Sequence, residues 1–196
     1  MKFIYCPLCG KKLIEKDSWD EGAVPYCVAD DILFFDTPKP CVVVAVMKGK
    51  EILLLKQSYI FKNSKVLVSG YVTNGESVED TVYREVKEET GIIVGDIKYL
   101  GSEYLASKEI IMLTFWAKYV EGEINKSSEV EWVDWQNIDD ALCEMSEDEI
   151  GKRVVRKLLK EIEYKAEKAY RCEIDANDWL QGSNTYLYFF DVDSNF

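Results

Sequence analysis

Gly70-Tyr-Val-Thr-Asn-Gly75-Glu-Ser-Val-Glu-Asp80-Thr-Val-Tyr-Arg-Glu85-Val-Lys-Glu-Glu-Thr90-Gly-Ile92 describes a short helix with a marked start and stop. Ser77 followed three residues later by Asp80 is a capping-box pattern, and Gly91 stands where a left-handed residue ends a helix. The spacing predicts a helix over residues 78–90. Val78, Val82 and Val86 form an apolar stripe that can bury one edge against a sheet. Glu85, Glu88 and Glu89, at i, i+3 and i+4, share a neighbouring stripe. Carboxylates gathered there repel unless a cation lies among them, and hard cations such as Mg2+ or Mn2+ take oxygen ligands. Arg84-Glu-Val-Lys-Glu-Glu89 also suits an ordinary solvated helix face, and the acids alone favour that reading; the flanking glycines turn it toward a metal site.

On the N-terminal side, Lys65–Ser69 reads as a short strand feeding straight into Gly70. Before it, Cys41–Val46 is an apolar, β-branched run too short for a helix. A turn at Lys48-Gly49-Lys50 and a returning strand at Glu51–Lys56 complete a hairpin. On the C-terminal side, Asp96–Tyr104 and Ile110–Tyr119 are β-like, and Val130, Trp132, Val133 and Trp135 predict one more strand. In that strand Glu129 and Glu131 would share a face. Ser146 with Glu149 opens a second capped helix, which Val154, Val155, Leu158, Leu159 and Ile162 carry to about residue 169. Arg171–Phe196 is acidic and aromatic, with a strand-like Thr185–Phe190. It reads as an edge strand, a docked terminus or a homodimer contact.

The length of 196 residues suits one main core with room for a small appendage. No apolar run approaches the roughly 20 residues that span a bilayer. The N-terminus lacks the pattern of a secretory signal, so a cytoplasmic location and no membrane partner are expected. A net charge of −12 argues against a nucleic-acid backbone as the default partner, and an anionic substrate would need a cation bridge. The chain has six cysteines and no histidine, so proton transfer must fall to carboxylate, lysine, tyrosine or water. Cys6-Pro-Leu-Cys9 is a metal-binding knuckle, and Cys27 follows. Asp30 occupies the place where a fourth cysteine would close a zinc ribbon. A Cys3Asp zinc site and a ribbon held by packing alone are both open; a disulfide suits a reducing cytosol less.

Gly70, Glu76, Arg84-Glu85-Val86, Glu88-Glu89 and Gly91-Ile92 together resemble the Nudix box. The knuckle, the Pro40-Cys-Val-Val-Val-Ala-Val46 strand, the box and the later Glu-x-x-Trp resemble, in that order, the NADH pyrophosphatase group of Nudix hydrolases over residues 1 to about 165. The resemblance implies an α/β fold, a Nudix-type α/β/α sandwich with a mixed sheet, preceded by a zinc-ribbon-like element. The expected division is 1–36 for that element, 37–170 for the Nudix domain and 171–196 for the tail. Two departures stand out: the group carries a fuller domain before the ribbon, and its Ser-Gln-Pro-Trp-Pro-Phe-Pro-x-Ser motif is reduced here to little beyond Ser102.

By resemblance, Glu85, Glu89, the Ser69 carbonyl and Glu129 would hold Mg2+ or Mn2+, with Glu131 the fallback for Glu129. Glu88 would hold a second ion or orient water, Arg84 would fix the carboxylates by a bidentate contact, and Tyr71 would stack on the substrate base. Tyr71 also reads as a half-exposed turn residue. The implied reaction is Mg2+-dependent hydrolysis of a diphosphate linkage in a small nucleotide, NAD(H) giving AMP and nicotinamide mononucleotide. ADP-ribose or another nucleoside diphosphate derivative is the alternative substrate. A Nudix-fold module that binds a nucleotide without cleaving it is the alternative outside enzymology.

Overall fold

The computed structural model describes residues 3–162. The expected continuation of the last helix and the acidic, aromatic tail lie outside the described residues. The chain divides into two compact units, one formed by residues up to Lys39 with Leu105–Ile110, the other by Pro40–Tyr104 with the chain from Ile111 onward.

The smaller unit is built on a three-stranded antiparallel meander, β1 (Ile14–Ser18), β2 (Gly22–Cys27) and β3 (Ile32–Leu33). So small a sheet cannot enclose much apolar surface, and its core consists of Cys6, Leu13 and Cys27 with Phe34 packed against them. An element this size needs another fastening, as small domains generally do.

The larger unit carries a six-stranded sheet ordered β7 (Ile93–Leu105), β8 (Ile110–Glu121), β4 (Lys39–Lys48), β5 (Glu51–Lys56), β9 (Trp132–Asn137), with β6 (Val68–Tyr71) also paired to β4. The β4–β5, β4–β6 and β5–β9 pairs are antiparallel. β4 and β8 set out from the same end, where Lys39 N donates to Glu109 O at 3.0 Å, which makes the sheet mixed.

β4 reads as a continuous apolar run because both of its faces are covered. Val42, Val44 and Val46 join Leu53, Leu55 and Phe115 in a core closed by Val82 and Val86 of helix α1 (Val78–Thr90). Val43, Ala45 and Met47 face the other way, with Ile52 and Leu54, onto Ile138 and Ala141 of α2 (Ile138–Glu144) and Val154, Val155 and Leu158 of α3, helical over 149–162. The α/β/α sandwich follows from this alternation.

Four local expectations need correction. β6 lies further along than Lys65–Ser69: Val66 makes only an isolated bridge to Leu55, and Val68–Tyr71 pairs with Cys41–Val44, the stretch of β4 beyond its short ladder with β5. Glu129 and Glu131 do not share a strand face, since Glu129 lies in a turn and β9 begins only at Trp132. α2 was not expected; Asn137 caps it, accepting from Asp139 N at 3.0 Å. The cap of α3 is Asp148, which accepts from Gly151 N at 2.8 Å, while Ser146 donates its hydroxyl to Asn63 O.

Candidate active site

Helix α1 has the predicted bounds because each end is locally specified. Ser77 accepts from Asp80 N, Asp80 accepts from Ser77 N, and Gly91 adopts φ 77° while its N–H donates to Lys87 O. With Val82 and Val86 buried, helical geometry turns Glu85 and Glu89 toward β6.

Glu85 lies directly over Gly70. A Cβ built on residue 70 would fall inside the Glu85 carboxylate, so this glycine supplies space. Burial pushes the Glu85 carboxyl up, with the Arg84 charge opposing.

Arg84 is the organising cation. Its Nε and Nη2 grip both oxygens of Glu76, at 2.9 and 2.7 Å, and Nη1 reaches Glu85 at 2.7 Å and Glu88 at 3.1 Å. Nη2 also donates to the Tyr71 carbonyl at 3.1 Å. The bidentate partner is therefore Glu76, and Glu85 and Glu88 each receive a single bond. Glu76 is itself fixed by Thr73, through N at 2.7 Å and Oγ1 at 2.8 Å. The Arg84 guanidinium holds its carboxyl well below the usual range. Glu88 is the member open to water, its side chain 60% exposed.

Glu89 has a different environment. It is 5% exposed, its Oε1 accepts from Gln57 Nε2 at 2.7 Å, and its Oε2 is buried with no hydrogen-bond partner. Burial raises its carboxyl to about 7, the Gln57 bond opposes the rise, the charges of Glu85 and Glu129 add to it, and the nearby Ser69 N–H lowers it slightly without forming a hydrogen bond to Oε2. Glu129 is thus part of the local field, while Glu131 turns away to accept from Ser58 N at 3.1 Å and from the Ser58 hydroxyl. Tyr59 belongs to the same neighbourhood: burial raises its phenol, and Glu89, Glu129 and Glu85 follow in that order. Tyr71 ends β6 with its side chain 50% exposed.

An orphaned buried carboxylate oxygen, a second carboxylate seated in a glycine cradle and an all-oxygen donor set suit a hard divalent cation. Gln57 and Tyr59 were not anticipated. The legible trace of Gln57 was an uncharged polar residue ending an apolar strand, and nothing local joins it to Glu89.

In the smaller unit, Cys6, Cys9, Cys27 and Asp30 converge, with all four ligand atoms within 4.8 Å of one another. Asp30 Oδ2 lies 3.1 Å from Cys6 Sγ and 3.0 Å from Cys27 Sγ, and Cys9 Sγ lies 3.5 Å from Cys27 Sγ. Leu8 N–H points at Cys6 Sγ across 3.4 Å, giving the knuckle a backbone donor for a thiolate. This donor set fits a tetrahedral Zn2+.

The NUDIX domain model matches residues 37–159, which hold the glycine cradle, the Arg84 hub, the half-buried Glu85 and the buried Glu89. The chain belongs to the Nudix family. Among curated Nudix relatives, the NAD-capped RNA hydrolase NudC of Pseudomonas syringae pv. tomato is 33% identical over 137 residues, 69% of this chain and 48% of the relative. That of Mannheimia succiniciproducens is 35% identical over 151 residues, 73% and 55% of the two chains. The chain thus spans about half the length of the curated relatives it matches. A NUDIX hydrolase from Nitrosomonas europaea superposes with a TM-score of 0.70 at 18% identity, covering 84% of this chain and 93% of that one. The NUDIX domain of Shewanella oneidensis NrtR, crystallised with ADP ribose, gives 0.57 at 18% identity, covering 70% and 94%. At such identities the structural likeness shows the Nudix fold alone. No helix among the described residues is long and apolar enough to cross a membrane.

The cysteine cluster makes a separate expectation. Purified protein should carry about one Zn2+ per chain, by metal analysis, and Cys27→Ser should lose it. Equal zinc content in the two proteins would reject the site.

Proposed function

We propose that this chain hydrolyses the diphosphate bridge of a nucleoside diphosphate derivative in a divalent-metal-dependent reaction, with NAD(H) cleaved to AMP and nicotinamide mononucleotide. The observation that carries the reading is the Glu89 carboxylate, buried on α1 with one oxygen bonded and the other without a partner. The name of the curated relatives supports an NAD-type diphosphate. ADP-ribose is the second substrate to test.

Glu85, Glu89, Glu129 and the Ser69 carbonyl would hold Mg2+ or Mn2+, with Glu88 serving a second ion or a water. When bound, such an ion neutralises phosphate oxygens and lowers the pKa of water. The chain supplies the rest. Arg84 Nη1 holds Glu85 and Glu88 at one point and offsets their mutual repulsion, and Glu76 and the Tyr71 carbonyl keep Arg84 there. Glu88, the exposed carboxylate, is open to receive a proton from water. Tyr71, exposed beside this hub, offers a ring face to the base. The net charge of −12 makes the acidic centre dependent on a cation for any phosphate to approach.

Incubation with NADH, NAD+, ADP-ribose and an NAD-capped RNA oligonucleotide, with and without Mg2+ or Mn2+, tests this through the products. AMP with nicotinamide mononucleotide, formed only with metal, is the expected result. Tight nucleotide binding with no product under any metal would replace the enzyme by the binding-module reading.

A further inference from the structure

Gln57 is 1% exposed, among the most deeply buried polar side chains of the described residues. It follows directly on β5 and begins a turn, its carbonyl accepting from Ile60 N at 2.9 Å and Phe61 N at 3.2 Å. The neighbouring chain is tied down as well: Lys56 O accepts from Glu131 N at 2.9 Å, and Ser58 binds the Glu131 carboxylate. Its backbone is therefore held on both sides, and its side chain has little room to move.

That side chain donates from Nε2 to Glu89 Oε1 at 2.7 Å. Its own Oε1 is buried without a donor, as is Glu89 Oε2. A buried acceptor without a donor is costly and uncommon, and here two occur in one bonded pair. If Gln57 only neutralised the burial of a structural glutamate, both carboxylate oxygens would be expected to find donors. Instead one oxygen is anchored and the other is kept bare.

We propose that Gln57 is a positioning residue of the acidic centre: it takes up Glu89 Oε1 so that Oε2 would be the oxygen left to hold a divalent cation. The inference rests on the metal-dependent reading above. It adds a residue outside the box, just after β5 and 32 residues before Glu89, that determines which oxygen of a box glutamate is available. A hydrogen bond of this kind fixes the side-chain rotamer of a ligand, and loss of such partners typically lowers metal affinity about 10- to 100-fold.

The test uses Mn2+ binding by the full chain without nucleotide, read from the electron paramagnetic resonance of free Mn2+ with the ribbon zinc-saturated. Gln57→Met keeps the length and apolar packing and removes the donor. It should weaken the Glu89-dependent Mn2+ binding about tenfold or more, and lower kcat at saturating metal while leaving KM for the nucleotide unchanged. The double variant Q57M/E89Q guards against a folding defect: if Gln57 acts through Glu89, Q57M has no further effect on Mn2+ binding in the E89Q background. Unchanged Mn2+ affinity in Q57M, or equal losses in the wild-type and E89Q backgrounds, overturns the role of Gln57. A wild type whose Mn2+ binding is indifferent to E89Q overturns the metal reading and Gln57 together.

Discussion

Glu89→Gln is expected to lower metal-dependent kcat/KM by on the order of 10²- to 10³-fold, the usual cost of removing one preorganised charge from a reacting centre. The fold should survive, because the substitute amide oxygen can still accept from Gln57 Nε2 and the volume is unchanged. The same variant isolates a pH effect. Burial pushes the Glu89 carboxyl up to about 7 in the folded chain, from the ordinary 4.5 of a glutamate. Below pH 4.5 the group is protonated in both states and contributes no difference. Between about 4.5 and 7 the folded state retains a proton that the unfolded chain has released, so stability falls as pH rises through this window. The loss is complete above the folded value and amounts to on the order of 3 kcal/mol. Glu85 and Asp148, whose carboxyls burial also raises, act in the same direction in both proteins. Melting curves from pH 5 to 8 without added divalent ion should therefore fall more steeply for wild type than for E89Q, and Mg2+ should recover part of the difference by binding the ionised form. Parallel curves would remove the buried-carboxylate account, and full activity of E89Q at saturating Mg2+ would remove its metal role.

Gly70→Ala is expected to cost about 10²-fold in kcat/KM, through displacement and not through backbone strain. The added Cβ would fall inside the Glu85 carboxylate, and the backbone cannot retreat because Gly70 is paired with Val42 in the β4–β6 ladder. Glu85 must move, and with it the single bond from Arg84 Nη1. Overpacking of this kind costs about 1–3 kcal/mol, so a modest fall in melting temperature should accompany the loss. Wild-type Mn2+ affinity together with wild-type turnover in G70A would show that Glu85 takes no part.

Much of this fold was legible along the chain. Helix α1 could be bounded to the residue because Ser77, Asp80 and Gly91 act over one turn, and no distant contact is needed to read them. The burial of β4 and β5 was legible from apolar runs that no exposed strand would carry. The family could be read because Gly70, Glu76, Arg84, Glu85 and Glu89 recur at a spacing set by one loop and one helix. Even there, the spacing left open which acid Arg84 would grip with both arms, since the choice of Glu76 depends on the loop that brings Thr73 and Glu76 back onto α1.

The remainder depended on chain segments far apart in sequence. Alternation alone put Glu129 and Glu131 on one strand face; the turn before β9 sends one into the field of Glu89 and the other to Ser58. The pairing of Gln57 with Glu89 joins the end of a strand to a helix 32 residues later. Local chemistry by itself determined the helix, its caps, the acidic stripe and the family, because capping, periodicity and motif spacing act between near neighbours. Which carboxylate is buried and which oxygen is left bare were decided only by the tertiary structure, because burial and long-range hydrogen bonds exist only once the sheet has brought those segments together.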